Sequence, residues 1–223
     1  MEKRRIIFGS YDTALDGPWT LTGWTLGAPE PSTNFVEAPG RKRGPINLSN
    51  ALTDGEPRYG TRTLTATFES SEGTRLERET VINTMINWLD GWTMNIELPD
   101  DPEHYVTGLV HVVKEYNDPA HAAVTVTATC EPWRYNLRDT VHTLPVTAEA
   151  QVYKLTNYGR LTVSPLLEIS GTGASVNLVF GPASWVLGPG VYQLPDLVVP
   201  SGGGLITYSG SGELRFTYRE ALL

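Results

Sequence analysis

Alternation of apolar and polar residues is the strongest pattern in the first 130 positions of the chain. In RTLTATFES, Leu64, Ala66 and Phe68 alternate with threonines, the period of two found in a sheet with one buried face. The same period recurs in TMNIEL and in AVTVTATC. We therefore predict three half-buried strands, with Cys130 as a small core residue and not a nucleophile.

Two further runs, YVTGLVHVVKEY and AHAAVTVTATC, flank the residues NDP. Asn, Asp and Pro favour a turn, so the runs are predicted to form an antiparallel hairpin. A turn near Asn117 would set His111 opposite Val124 and His121 opposite Lys114. The two histidines would then lie apart, which argues against a metal site.

One segment, TRLERETVINTMINWLDG, is predicted to be a helix of about residues 75–90. Thr74 and Glu77 have the spacing of a capping box, and Gly91 is placed to end the helix. Four apolar residues fall on one helix face: Ile82, Met85, Ile86 and Leu89.

The composition changes near residue 138. Residues 139–223 carry only 4 basic and 6 acidic side chains and are rich in Gly and Pro. They are predicted to form short strands, RLTVSPLLEIS, ASVNLVFG, GVYQLPDLVVP, GGLITYSG and GELRFTYRE, with Leu214, Phe216 and Tyr218 facing inward. We predict a first domain, 1–138, of β-structure with one helix, and a second domain, 139–223, that is a β-sandwich.

Composition narrows the classes of function. The formal charge of -8 disfavours free binding to DNA or to anionic membranes. A single cysteine excludes an intramolecular disulfide and is compatible with a reducing cytosol. The N-terminus has only three consecutive apolar residues, so neither a signal peptide nor a membrane span is expected there.

No motif predicts a catalytic, cofactor or metal site. The acidic turn LPDDPEH lacks the ligand spacing of an EF-hand, and the Gly-rich pieces lack the Lys-Ser/Thr of a P-loop. No nucleophile elbow is present. The basic run Arg41–Arg43 is interpreted as an exposed loop tip, with contact to phosphate or an acidic surface as the alternative. Most of the six tryptophans are predicted to be packing residues, although a sugar-stacking platform was also considered.

Several segments together resemble a known family. INLSNALTDGEPRYGTRTLTATFES, the helix, WTMNIELPDDPEHYVTGLVHV, VTVTATCEPWRY, LTNYGRLTVSPLLEISG and GELRFTYREALL resemble, in this order, the distal tail protein (Dit) family of non-contractile, long-tailed bacteriophages (siphophages). The first 45 residues resemble the family only loosely.

The resemblance implies a structural virion protein of the phage tail tip, made in the host cytoplasm. Its N-terminal domains would form a hexameric ring, and its C-terminal domains would be sandwiches similar to galectins. The implied partners are other copies of the chain, the tail tube protein, a baseplate hub or fibre protein of the host-adsorption apparatus and the tape measure protein. Genome DNA would only pass through the lumen, and no enzyme activity, cofactor or membrane is implied.

The polar stretch NLSNALTDGEPRYGTRTL is then interpreted as an arm that contacts the next subunit. Tyr59 and Arg62 are predicted to lie at that interface, because Tyr and Arg are enriched at interfaces and a ring requires two different patches on each copy. The alternative is that both residues only hold the loop to its own sheet. Two other functions are alternatives: a carbohydrate-binding sandwich carrying Trp185, and a tail-associated hydrolase, for which the sequence has no catalytic motif.

Overall fold

The computed structural model of the chain describes residues 4–37, 44–49 and 57–223. The basic run Arg41–Arg43 therefore lies outside the described residues. The chain divides into two compact units, one that ends at Trp133 and one that begins at Arg134. In the described residues no helix is both long enough and apolar enough to cross a bilayer.

The first unit combines one helix with short and long strands. Its elements are β1 (Ile7–Phe8), β2 (Tyr11–Asp12), β3 (Thr20–Leu26), β4 (Phe35–Val36), β5 (Ile46–Asn47), β6 (Arg62–Ser70), α1 (Arg75–Leu89), β7 (Thr93–Leu98), β8 (Asp101–Asn117) and β9 (Ala122–Cys130). Seven of these strands form an antiparallel sheet in the order β2-β1-β7-β8-β9-β6-β3, and β4 pairs with β5 alone.

The predicted alternation of side chains is confirmed in this sheet. Leu64, Ala66 and Phe68 of β6 are fully buried, as are Val124 and Val126 of β9. The threonines between them point to the other face and pair across the strands in register: Thr63 with Thr129, Thr65 with Thr127 and Thr67 with Thr125. Because side chains alternate strictly, one core face and one hydroxyl-rich face follow from the same pattern.

The β8–β9 hairpin is confirmed, but its predicted register is wrong. His111 lies opposite Thr127, and Val124 lies opposite Lys114. The offset arises because the turn begins later than assumed, with Asp118 N–H bonded to the carbonyl of His121; the register shift between Lys114 and Tyr116 reduces it by one residue.

Helix α1 has the predicted ends and the predicted apolar face. Glu77 N–H donates to Thr74 Oγ1 over 3.3 Å and Thr74 N–H donates to Glu77 Oε2 over 2.7 Å, so both halves of the capping box are present. The bond from Thr74 N–H to the carboxylate is the largest cause that lowers the pKa of Glu77, and the Thr74 side chain lowers it further. Gly91 follows the helix with a φ of 79°, a value that favours glycine. Three helix side chains are buried in the core with the sheet: Ile82, Met85 and Leu89.

The second unit contains strands and no helix in residues 134–223, all of which the structure describes. Its elements are β10 (Arg134–Asn136), β11 (Thr140–Val146), β12 (Gln151–Leu155), β13 (Leu166–Phe180), β14 (Ala183–Leu187), β15 (Gly190–Gln193), β16 (Gly204–Tyr218) and β17 (Ala221–Leu222). The inward positions predicted for the last long strand are confirmed, since Leu214, Phe216 and Tyr218 are all buried.

Two long strands, β13 and β16, build both layers of this unit. The first half of β16 pairs with β12 and with the second half of β13, which carries β14. The second half of β16 pairs with β11 and with the first half of β13, which carries β15. Inward residues of both four-stranded halves belong to one core cluster, so the halves act as the two layers of a sandwich.

The sequence predicted shorter strands here because glycines interrupt the runs. Instead, GGLITYSG and GELRFTYRE lie in the single strand β16. Gly210 and Gly212, with φ values of 131° and 115°, continue the strand where its partner shifts register between Ser170 and Ser175. A Cβ on Gly212 would lie 2.7 Å from the Ser170 carbonyl oxygen, so these glycines mark a bend and not a strand end.

Candidate subunit interface

An arm extends the β3–β6 ladder beyond the seven-stranded sheet. Its described residues are 27–37, 44–49 and 57–61. Gly27 N–H donates to the Thr63 carbonyl over 2.9 Å, and Gly60 N–H donates to the Glu30 carbonyl over 2.8 Å. None of the arm's described residues is buried, so in its described part backbone hydrogen bonds hold the arm and no core forms.

The polar side chains of Asn47 and Ser49 stabilise the hairpin formed by β4 and β5. Asn34 N–H donates to Ser49 Oγ over 2.8 Å, and Ser49 N–H donates to Asn47 Oδ1 over 2.9 Å. Leu48 N–H donates to the Asn34 carbonyl over 2.7 Å. Asn and Ser side chains commonly support turns in this way, which explains part of the polar character of this stretch.

Three large apolar side chains of this hairpin are exposed: Phe35 (58%), Val36 (43%) and Leu48 (38%). We call these three residues the arm tip. A two-stranded hairpin is at most marginally stable in water unless its apolar side packs against another surface. Exposed apolar patches of this kind are typical of sites that contact another macromolecule.

The structure places the two sequence-predicted interface residues at the base of the arm. Tyr59 is half-buried, forms an isolated bridge with Pro31 and packs edge-on against Trp133, with ring centroids 5.8 Å apart. Arg62 is 8% exposed, and its Nη1 donates to the Pro132 carbonyl over 3.0 Å. Both side chains therefore make the contacts that hold the arm to its own unit, and their role at an interface stays a prediction.

Sequence reasoning missed the arm tip. Phe35 and Val36 stand in the Pro- and Gly-rich segment that matched the family only loosely, and two apolar residues in a row do not distinguish a strand end from a loop. The exposure could have been predicted from the neighbours of Phe35, Val36 and Leu48. They are mostly turn-forming residues, which offer few apolar side chains to pack against.

The structure does not bring the histidines together. His104 Nδ1 lies 2.5 Å from Asp101 Oδ1, and His111 Nδ1 lies 2.7 Å from Asp90 Oδ1. His142 belongs to the second unit, where it contacts two tyrosine hydroxyls. Among the described residues no group of three or more potential ligands could hold a metal ion.

Cys130 is fully buried, as predicted for a core residue. Desolvation raises the pKa of its thiol to about 11, although the nearby Arg62 opposes the shift. Since the thiolate is the reactive form, this position does not suit a nucleophile.

The tryptophans divide into packed and exposed side chains. Trp19 is buried, and Trp24, Trp133 and Trp185 are half-buried. Trp185 packs partly against the core of its own unit, so its ring does not provide an open platform for a sugar. Four of the six are thus at least partly packed, as predicted for most of them, whereas Trp88 and Trp92 are exposed.

Among solved structures, the chain is similar over its whole length to SPP1 Dit, described as a paradigm of the hub adsorption apparatus in phages that infect Gram-positive bacteria. The similarity covers 100% of both chains with a TM-score of 0.68 and 13% sequence identity. No protein-family model and no curated protein matches the sequence. The similarity confirms that the chain has the Dit fold, mainly β with one helix among the described residues, which is the fold that the sequence resemblance implied.

Proposed function

We propose that this chain is a distal tail protein, a structural subunit of a phage tail tip that assembles into a closed ring of six copies. The ring would join the tail tube to the hub or fibre proteins that adsorb to the host, with the tape measure protein and the genome inside it. The domain up to about residue 138 would form the ring, and the domain from 139 onward would be the second, sandwich domain.

The arm is the observation that carries this proposal beyond the fold. It presents exposed apolar side chains on a hairpin without a core, so its free energy would fall if another surface covered the tip. If the tip packs on a surface other than a second tip, the two patches differ, and an interface between two different patches closes into a ring when the rotation permits. Permanent assemblies of this kind typically bury more than about 2,000 Å² at each interface.

The charge and chemistry of the chain support a structural role. The formal charge of -8 would keep DNA from adhering to the inside of a ring. The proposal also requires no enzyme activity, no cofactor and no membrane. The alternative, a carbohydrate-binding module, has no favourable observation in the second unit, because Trp185 is partly covered by its own core.

The solution mass tests the proposal. Size-exclusion chromatography with light scattering should give about six times the chain mass of 24.5 kDa, with ring-shaped particles in negative stain. Phe35→Glu should shift that peak toward the monomer, because a charge on the arm tip would be buried in the assembly. A wild-type monomer that persists at high concentration would contradict a self-assembling ring, and binding on a glycan array would then support the alternative.

A further inference from the structure

Two exposed tryptophans lie at the C-terminal end of helix α1. Trp88 stands in the last turn of the helix and is 56% exposed, and Trp92 follows the helix end and is 63% exposed. The Trp88 ring packs edge-on against the ring of Tyr11, with the two ring centroids 5.9 Å apart. We call Trp88 and Trp92 the tryptophan pair.

The turn that joins the tryptophan pair is held rigidly at both sides. Asp90 N–H donates to the Ile86 carbonyl over 2.9 Å, and Gly91 N–H donates to the Val110 carbonyl over 2.8 Å. The Asp90 carboxylate accepts from Val112 N–H over 2.9 Å and contacts His111. The first of these carboxylate bonds is the largest cause that lowers the pKa of Asp90.

A rigid turn that exposes aromatic rings has the character of a binding hot spot. The backbone between Trp88 and Trp92 is hydrogen-bonded to both α1 and β8, so the two exposed rings stand on an ordered turn. Trp is among the residues most enriched where binding energy concentrates, and a surface ordered in advance loses less entropy on association.

We propose that the tryptophan pair receives the arm tip of the neighbouring copy of this chain. This inference rests on the proposed ring and names the surface that its arm would contact. The arm tip and the tryptophan pair are exposed apolar groups of the same unit and consist of different residues. Contact between them would be heterologous: the arm tip of each copy would contact the tryptophan pair of the next copy, and its own tryptophan pair would contact the arm tip of the previous one.

The apolar area that the tryptophan pair exposes is large enough for the centre of such an interface. A buried aromatic side chain covers about 150 to 250 Å², so two tryptophans exposed by more than half offer roughly 200 Å² or more. This is a fraction of the roughly 800 Å² that each partner contributes to a standard interface. The tryptophan pair would therefore supply the energetic centre, and surrounding strands and loops would supply the remaining area.

Complementation between two variants tests the contact. Phe35→Glu removes the donor patch and Trp92→Glu the receiving patch, and each variant alone should run as a monomer. An equimolar mixture should give a species of about twice 24.5 kDa that grows no further, because only one intact interface can form. Leu76→Glu is the matched control: it adds the same charge at a residue 77% exposed at the start of the same helix and should leave assembly unchanged.

The outcomes separate this inference from the proposed function. Loss of assembly in Phe35→Glu with wild-type assembly in Trp92→Glu would overturn the tryptophan pair as the receptor and leave the ring intact. A mixture that stays monomeric would also overturn it.

Disulfide trapping gives a second measurement that does not require a stable ring. Since the native Cys130 is buried, Phe35→Cys and Trp92→Cys introduce the reactive thiols of the folded protein. Mixed and oxidised at high concentration, the two variants should form a linked dimer at least tenfold faster than Phe35→Cys mixed with Leu76→Cys. Equal rates in the two mixtures would refute the contact, even for a protein that is monomeric in dilute solution.

Discussion

The guanidinium of Arg78 donates a hydrogen bond of 2.7 Å from Nη2 to the carbonyl oxygen of Asp118. Further bonds reach the carbonyls of Pro119, over 3.1 Å, and of Gly73, over 2.6 Å. Arg78 is 1% exposed, so one buried cation ties the start of α1 to the turn of the β8–β9 hairpin. These three backbone carbonyl groups thereby receive their hydrogen bonds from a single side chain.

Replacing Arg78 with Met should lower the free energy of unfolding by about 2 to 4 kcal/mol, because the buried guanidinium makes several hydrogen bonds and one such bond to a charged group is worth about 1.5 to 3 kcal/mol. Urea denaturation measures the change. Arg75→Met, at an exposed position of the same helix, is the control and should stay within about 0.5 kcal/mol of the wild type. Equal effects of the two substitutions would show that the buried hydrogen bonds contribute little.

Gly108 and Cys130 are expected to be coupled. They are paired residues of β8 and β9, and a Cβ on Gly108 would lie 2.6 Å from the Cys130 sulfur. Gly108→Ala should therefore destabilise the first unit by about 1 to 3 kcal/mol through overpacking. With Cys130→Ala in the background the cost should fall by at least about 0.5 kcal/mol. A double-mutant cycle in urea measures this coupling, and strictly additive effects would contradict it.

His142 should make the stability of the second unit depend on pH. Tyr218 hydroxyl donates to the Thr156 carbonyl, so it accepts from His142 Nε2, while Nδ1 can accept from the Tyr153 hydroxyl. This arrangement suits the neutral ring, and desolvation lowers the pKa of His142, although Glu220 opposes the shift.

The sign follows from the lowered pKa. The unfolded chain binds a proton at His142 near pH 6.5, above the pH at which the folded chain does. The stabilising contribution is therefore present above about pH 6.5 and is lost as the pH falls through the lower pKa of the folded state. Denaturation between pH 7.5 and 5 should show a smaller pH dependence in His142→Phe than in the wild type. NMR of the wild type should find the proton on Nε2; a wild-type slope retained in the variant would assign the dependence to other groups.

Combined substitution of Tyr59→Ala and Arg62→Ala should weaken assembly while the monomer still unfolds cooperatively. Loss of the contacts to Trp133 and Pro132 would free the base of the arm, so ordering the arm would cost more on association. We expect at least about a tenfold higher concentration for half-assembly, as for a loss of about 1.4 kcal/mol.

Light scattering across a dilution series provides that measurement. Thr63→Ala is the control, since Thr63 is an exposed neighbour on β6 whose side chain faces away from the core. An intact ring of the double variant at the wild-type concentration would refute the role of Tyr59 and Arg62.

Much of the framework could be predicted from the sequence. The inward positions of β6 and β16, both ends of α1 and the core position of Cys130 followed from periods of two and 3.6 and from a four-residue capping signal. Such signals are local, since they depend on residues a few positions apart and on which side of an element faces water.

Tertiary structure decided what local patterns could not. The glycines of β16 are compatible with a strand end as well as with a bend, and only the pairing with β13 selects the bend. Likewise two partners of Arg78, Asp118 and Pro119, lie some 40 positions away in the chain, so no nearby pattern reveals why a cation is buried.

At the candidate interface, too, some features follow from the sequence and others only from the tertiary structure. The sequence by itself predicts a turn-rich arm over residues 47–64, because its Asn, Pro and Gly favour turns; residues 50–56 lie outside the described residues, and Arg62–Leu64 belong to β6. Only the tertiary structure decided that Arg62 is buried at the base of the arm, that Phe35 is exposed at its tip and that Trp92 lies uncovered after α1. Exposure is a property of the whole folded surface: a side chain remains in water only when no distant segment packs over it.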